Sequence, residues 1–364
     1  MKKICLIDST YPINTRTNKI YNSLVNDFGR ENVSIIAWNR DGRENKNTEN
    51  YYIYEKKAAY GNKLQKLMGL FSFKTFINKV LNENNFDIVI ASHWETLLLA
   101  SELKQKDSKL IYENLDIPTS SNIHILKLLQ KIEKKALKKT DAIVFASRFF
   151  VPLYDFFTKD KILLENKPDK QLFLYEAKEH DSFNIVFLGV IRYLDILKNL
   201  IDSVNEIKGI KLVIWGDGPD YGSLKNYAKS KENVFIQGRY ENSQLANIYS
   251  EADLVWAVYP NNDYNVKYAI SNKFHESINI GKPCIYAEKT ELGNFVSSNR
   301  IGFVVNPYSV DDITELLDKL KANPKLIEEA TNKLKMFKKK ETSWNDDFSK
   351  LGNFIRQYVV PSSL

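Results

Sequence analysis

Cysteine is nearly missing from this sequence. Cys5 and Cys284 are the only two in 364 residues, and each sits inside an apolar run. Neither has a metal-ligand spacing, so both read as small buried hydrophobes in a reducing compartment. Long hydrophobic runs are missing too. No stretch approaches the ~18–20 apolar residues of a membrane span. The opening "MKKICLIDSTYP" breaks at Asp8 after four apolar residues, which predicts a buried strand rather than a signal peptide. Repeats and low-complexity tracts are absent as well. What is present is 43% hydrophobic and 12% aromatic residues, a globular composition that excludes a disordered chain. At 364 residues the chain exceeds one ordinary core, so two domains are expected.

The charge is uneven. The net charge is +7, and residues 1–180 carry all of it, the remainder being balanced. A basic half suits a polyanionic neighbour: nucleic acid, anionic lipid or a phosphorylated ligand. It also suits an ordinary lysine-rich surface. The lysines are not interleaved with stacking aromatics in a known module pattern, so no nucleic-acid partner is expected.

Short apolar runs alternate with longer amphipathic stretches. In the first half the runs lie at 4–8, 33–38, 87–92, 110–114 and 142–147. In the second they lie at 185–189, 212–216, 234–238, 254–260, 284–287 and 303–306. They are apolar at both alternating positions, as strands covered on both faces are, and that predicts parallel sheets between helices. The β–α alternation occurs twice. We therefore expect an α/β protein of two doubly wound, Rossmann-like domains, at 1–168 and 178–341, with a boundary in the polar stretch 165–182. The helical spacing of Trp344, Phe348, Leu351 and Ile355 predicts a C-terminal helix within 342–364 that packs back on the first domain.

Two basic amphipathic stretches stand out. "IHILKLLQKIEKKALKK" (123–139) puts Ile125, Leu128, Leu129, Ile132 and Ala136 on one face, and its six lysines are set against a single acid, Glu133. "YGNKLQKLMGLFSFKTFINKVL" (60–81) carries Leu67, Leu70, Phe71 and Phe73. Such helices lie on anionic membranes, or else pack their apolar faces on their own sheet with lysines in water.

Ligands of open parallel sheets bind beyond the carboxyl ends of the strands. Gly189 and Arg192 follow the 185–189 run. Gly216 opens the turn "GDGP", and Arg239 and Tyr240 follow Gly238. Glycines let backbone approach a ligand, a cation near a helix start suits phosphate, and Tyr240 suits a flat base or plain packing. The most informative stretch is "SNKFHESINIGKP". Ser271 or Asn272 caps a helix whose first turns hold Lys273 and Glu276 on one face. A lysine at a helix N-terminus opposes the macrodipole unless an anion compensates both. A diphosphate would do so, and a carboxylate one turn on suits a ribose diol. The plainer alternative is a surface ion pair.

The pieces "FLGVIRYLDILKNL", "LVIWGDGP", "VFIQGRYENSQLANIYSEADLVWAVYP" and "NKFHESINIGKPCI" resemble, in order and spacing, the donor domain of GT-B glycosyltransferases over nearly all of 184–306. The resemblance is to the bacterial cell-surface polysaccharide type, similar to the glycosyltransferase 4-like and xanthan glucuronosyltransferase-like families. It implies two such domains facing each other across a cleft. It assigns Glu276 to the nucleotide ribose and Lys273 to the diphosphate, with Gly189, Arg192, Gly216, Arg239, Tyr240 and Asn272 around the donor. "DSTYPINTRTNKIYNSL" resembles the start of the acceptor domain, with Arg16 where an arginine is common. "LIYENLDIP" resembles the segment in which an aspartate is the catalytic base, and that aspartate maps to Asp116. His93, at the end of "DIVIASHW", and nearby Glu95 are further candidates for catalysis and acceptor binding. Retaining members carry two glutamates eight positions apart. Here Tyr268 occupies the partner position of Glu276, so Asp116 makes inversion the expectation.

The implied reaction moves a sugar from a nucleotide-sugar, of UDP type, to a saccharide hydroxyl without a metal or other cofactor. The implied acceptor is polyprenyl-diphosphate-linked, in capsule or other surface polysaccharide synthesis. The implied location is cytoplasmic, peripheral at the inner face of the cell membrane, with the basic N-terminal domain on anionic lipid. A non-catalytic partner subunit and a sugar-nucleotide epimerase of the same fold are the alternatives.

Overall fold

The computed structural model describes residues 3–44, 49–58, 63–168 and 182–359. The chain forms two compact units, residues 1–165 with 344–364, and residues 166–343. Most of the expected boundary stretch, residues 169–181, lies outside the described residues.

The first unit is built on seven strands: β1 (Ile4–Asp8), β2 (Val33–Asn39), β3 (Tyr51–Glu55), β4 (Ile88–Ser92), β5 (Lys109–Asn114), β6 (Ala142–Phe145) and β7 (Asp160–Leu163). They form one sheet in the order β3-β2-β1-β4-β5-β6-β7, and every pairing is parallel. Every residue of β1, β2, β4 and β6 is buried. Their largely apolar content at both alternating positions therefore follows from coverage on both faces. Helices α1 (Thr15–Phe28), α2 (Lys63–Asn84), α3 (His93–Leu103) and α4 (Ile123–Leu137) make the crossovers. The C-terminal helix, Trp344–Val359, belongs to this unit. It adds Trp344, Phe348, Leu351, Phe354 and Ile355 to a core shared with β1, β2 and α1. Trp344 Nε1 donates to Ser23 Oγ at 3.0 Å, and Arg356 pairs with Asp27 at 2.5 Å.

Among the described residues the second unit has six strands, β8 (Phe183–Leu188), β9 (Ile210–Trp215), β10 (Val234–Gly238), β11 (Leu254–Ala257), β12 (Cys284–Ala287) and β13 (Phe303–Val305), in the order β10-β9-β8-β11-β12-β13. Again all pairings are parallel. The helices are α5 (Leu194–Glu206), α6 (Tyr221–Ala228), α7 (Leu245–Ser250), α8 (Tyr264–Tyr268), α9 (Asn272–Ile280), α10 (Glu291–Asn299), α11 (Val310–Ala322) and α12 (Lys325–Lys338). Each sheet reverses its strand order once, between β1 and β4 in the first unit and between β8 and β11 in the second. Those two reversals are where ligands of such sheets bind.

Helix α4 turns only part of its apolar surface inward. Leu126, Glu133, Ala136 and Leu137 are its buried residues, whereas Ile123, Ile125, Leu128 and Ile132 are exposed. Glu133 does not stand among the lysines. Its Oε1 accepts from Tyr112 Oη at 3.1 Å and from Tyr154 Oη at 2.8 Å. The two hydroxyls drew the polar face inward and turned part of the apolar face out. On α2, Phe73 is buried and Phe71 exposed, and the Leu67 side chain lies outside the described residues.

Burial pushes the Glu133 carboxyl up to about 7, against the lowering effect of the Tyr154 and Tyr112 bonds. A folded pKa above the unfolded one means that the protonated form favours folding. The stability involved is fully present below the ordinary carboxylate range and is lost as pH rises through about 7. Glu133→Gln keeps an Oε1 acceptor for both hydroxyls and carries no charge. It is expected to be more stable than the wild type at pH 8 by about 2–3 kcal/mol, and equal to it at pH 4. Urea unfolding at the two pH values checks this, and a pH-independent difference would show that Glu133 does not titrate there.

Candidate active site

In the second unit, three neighbouring strands reach glycine at the same end of the sheet. Gly189 follows β8 with φ 139°, Gly216 follows β9 with φ 141°, and Gly238 ends β10. The Gly189 amide donates to the Trp215 carbonyl at 3.0 Å and the Gly216 amide to the Gly238 carbonyl at 2.6 Å. A Cβ on Gly216 would stand 1.7 Å from the Gly189 carbonyl oxygen, so no other residue fits there.

Beside this rim stands the N-terminus of α9. Ser271 is its cap, and its Oγ accepts from the Lys273 amide at 3.3 Å. The Lys273 side chain is 7% exposed. Its Nζ donates to Tyr259 Oη at 2.8 Å and lies 5.1 Å from the Phe187 ring centroid. It is also 3.1 Å from where a Cβ on Gly189 would stand. Phe187 and Gly189 belong to the end of β8, and Tyr259 lies two residues beyond β11. The ammonium therefore sits at the reversal of strand order. Burial alone would lower its pKa, but Tyr259 and Glu276 outweigh burial and the net direction is upward. The site holds a charged lysine.

Glu276, one turn along α9, is half-buried, and Tyr249 donates a short hydrogen bond to its Oε2. Lys273 and Glu276 thus each engage a tyrosine, and the simple ion pair does not form. Tyr240 is half-buried nearby. Burial raises its pKa, with Lys273 lowering and Glu276 raising it, which places it near both charges. Arg192 is exposed on the rim, its guanidinium 4.8 Å from the Tyr193 ring, which meets the Tyr259 ring edge-on at 6.4 Å. The structure thus gathers Gly189, Gly216, Tyr240, Lys273 and Glu276, with Arg192 one ring removed. Arg239 is 86% exposed and pairs with Asp217 at 2.7 Å, and this bond is the first cause holding the Asp217 carboxyl below its usual range. Asn272 is exposed and accepts from Asn166 at 3.0 Å, while the cap itself is Ser271. Tyr268 packs edge-on against Tyr264 at 5.4 Å. Tyr249 and Tyr259 escaped the sequence reading, because only the folded chain brings them to α9.

In the first unit the corresponding reversal holds a buried polar network. Arg16 Nε donates to Glu113 Oε1 at 3.0 Å, the two side chains being 5% and 0% exposed. Ser92 donates a short bond to Glu113 Oε2, and Thr17 Oγ1 lies 3.3 Å from the same oxygen. Arg16 Nη1 and Nη2 are buried without hydrogen-bond partners. Burial pushes its pKa down, against Glu113. Arg16 ties α1 to β5 beneath the rim. His93 follows Ser92 with φ 71°, a left-handed conformation that costs a non-glycine residue about 1 kcal/mol or more and that clusters at functional sites. Glu95 is half-buried in the first turn of α3. Asp116 is exposed two residues beyond β5. It does not cap α4, because Asn122 does so, accepting from the His124 and Ile125 amides. Glu113 and Ser92 were not singled out from sequence. Glu113 looked like one more strand residue, and its partner lies 97 positions away.

Comparison with known proteins agrees with this architecture. Residues 171–340 match the family model described as glycosyl transferases group 1. A curated relative, the succinoglycan biosynthesis protein ExoL of Rhizobium meliloti, is 24% identical over 267 residues. The match covers 65% of this chain and 64% of the relative, so the chain spans somewhat under two thirds of that protein's length. Among solved structures, sucrose-phosphate synthase from Thermosynechococcus elongatus superposes with a TM-score of 0.75 at 13% identity, covering 98% of this chain and 99% of the other. The Anabaena protein Alr3699/HepE, in complex with UDP and glucose, gives 0.73 at 12% identity and full coverage of both chains. At such identities the structures speak for the fold, and the family model speaks for the second unit. The fold of the chain is thus that of the GT-B structures, and its second unit matches the glycosyl transferases group 1 model.

Proposed function

We propose that this protein moves a sugar from a nucleotide-sugar donor, UDP-linked, to a hydroxyl of a saccharide acceptor in surface polysaccharide synthesis. The observation that carries the reading is the buried, charged Lys273 at the strand-order reversal of the second unit. A buried lysine whose ammonium donates to the Tyr259 hydroxyl is poised for an anion. The glycine rim lets a diphosphate come close to backbone. Glu276, one oxygen of which accepts from Tyr249, would hold the ribose hydroxyls, and half-buried Tyr240 would meet the base. Lys273, with Arg192 at the rim, would stabilise the negative charge of the departing diphosphate without a metal. Asp116, exposed beyond β5, would take the acceptor hydroxyl's proton, and the anomeric configuration would invert. His93 and Glu95, on the first unit's rim, would position the acceptor. A relative named for succinoglycan biosynthesis and an Anabaena neighbour bound to UDP and glucose support the donor and pathway class. The acceptor in this reading is lipid-linked, and the enzyme works as a peripheral protein at the inner membrane face.

A panel of nucleotide-sugars, read by nucleotide released with and without saccharide acceptor, tests the proposal. UDP-sugars are expected to release UDP. Glu276→Ala is expected to weaken donor binding about tenfold or more, and Asp116→Asn to slow transfer by about 10²-fold with donor binding unchanged. Unchanged donor affinity in Glu276→Ala would remove the site assignment. Conversion of the nucleotide-sugar without nucleotide release would mean an epimerase.

A further inference from the structure

We propose that the outward ridge of α4 is the surface by which this protein lies on an anionic lipid bilayer. The inference deepens the membrane reading above and rests on it for its purpose. Its observations are independent of the donor site.

The ridge is a structural surplus. Leu126, Glu133, Ala136 and Leu137 already supply the face that α4 packs on the unit. Ile123, Ile125, Leu128 and Ile132 are left 54%, 50%, 56% and 38% exposed. Ile125, Leu128 and Ile132 are spaced i, i+3, i+7, so they form one continuous stripe. Scattered exposed apolar residues are ordinary, but Ile125, Leu128 and Ile132 expose one continuous apolar face on a helix of 15 residues.

The chemistry around the ridge selects the occupant. All six lysines of the helix and its end, from Lys127 to Lys139, are exposed. Protein–protein interface cores are depleted in lysine, whereas helices that lie on membranes combine an apolar stripe with lysines along its flank. The lysine stems extend the apolar surface while the ammonium groups reach anionic headgroups. Helix α2 adds Met68 and Phe71, 61% and 70% exposed, and both α2 and α4 pack against α3.

The helix is also held firmly. Tyr112 and Tyr154 both donate to Glu133, and Tyr154 Oη accepts from Asn114 Nδ2 at 2.8 Å. Asn114 is the last residue of β5, two positions before Asp116. The ridge is thus braced against the strand that leads to the proposed base.

Co-sedimentation of the full chain with vesicles tests the proposal, with no donor or acceptor present. Wild type is expected to sediment with phosphatidylglycerol-containing vesicles at low salt and not with pure phosphatidylcholine. Ile125→Ser/Leu128→Ser/Ile132→Ser is expected to lower partitioning about a hundredfold, and Lys131→Glu/Lys135→Glu about tenfold or more. These positions are exposed, so circular dichroism and UDP-sugar hydrolysis should match the wild type in both variants. Failure of wild type to bind anionic vesicles, or wild-type binding by the triple-serine variant, overturns the proposal. So would concentration-dependent self-association that the triple-serine variant abolishes in the absence of lipid. If hydrolysis persists while vesicle binding is absent, the surface assignment falls and the donor-site reading stands.

Discussion

Replacing Lys273 with alanine is expected to lower the rate of sugar transfer by about 10²–10³-fold, the effect of deleting one preorganised charge at a departing anion. The loss should fall mainly on kcat, because charge accumulates on the diphosphate as the glycosidic bond breaks. Lys273→Arg is not expected to restore the rate. The Nζ is aimed by its 2.8 Å bond to Tyr259 Oη, and a longer, planar guanidinium would carry its charge to a different place. Tyr259→Phe should give a smaller loss in the same direction, because the lysine then loses the bond that aims it. Steady-state kinetics on wild type and the three variants checks this order. A Lys273→Ala enzyme within about threefold of wild type would remove the lysine from the reaction, against the ~10²-fold or greater loss expected of such a group.

The second large effect is on stability. Glu113→Ala leaves the Arg16 guanidinium buried without its counter-ion and strips Ser92 of its acceptor. Breaking a buried pair from one side costs about 3–5 kcal/mol, so the urea midpoint should fall sharply. Removing both charges together, as in Arg16→Met/Glu113→Leu, should recover much of that loss, since no uncompensated charge remains. A Glu113→Ala protein within about 1 kcal/mol of wild type would mean that the pair does not act as a buried ionic unit. The same network fixes Ser92, the residue before the strained His93. Glu113→Ala should therefore also disturb the rim of the first unit.

How much of this was legible depended on how local each signal was. The inner strands β8, β9, β11 and β12 of the second unit stand out because both of their faces are largely covered, so the chain writes unbroken apolar runs. β3, "YYIYE", and β7, "DKIL", are edge strands, only partly buried, and their polar ends hide them. Lys273 and Glu276 were readable because helix-start chemistry and i, i+3 spacing act within a few residues. Tyr259 and Tyr249 were not, because their roles arise only when β11 and α7 meet α9. On α4 the hydrophobic pattern left open which face goes inside. Apolar residues occur around most of that helix, and two tyrosine hydroxyls binding Glu133, one 21 positions earlier and one 21 later, decided which face went inside. A hydrophobic period counts such a glutamate as solvent-facing and has no means of seeing its partners.

The central claim is that Lys273 and Glu276 together hold the diphosphate and ribose of the donor. A crystal structure of the protein with UDP tests it most directly. The account predicts a diphosphate oxygen within hydrogen-bond reach of Lys273 Nζ, beside Gly189 and Gly216, and a ribose hydroxyl on the Glu276 carboxylate. UDP bound away from the carboxyl ends of β8 and β11, with Lys273 and Glu276 still bonded only to their tyrosines, would contradict it.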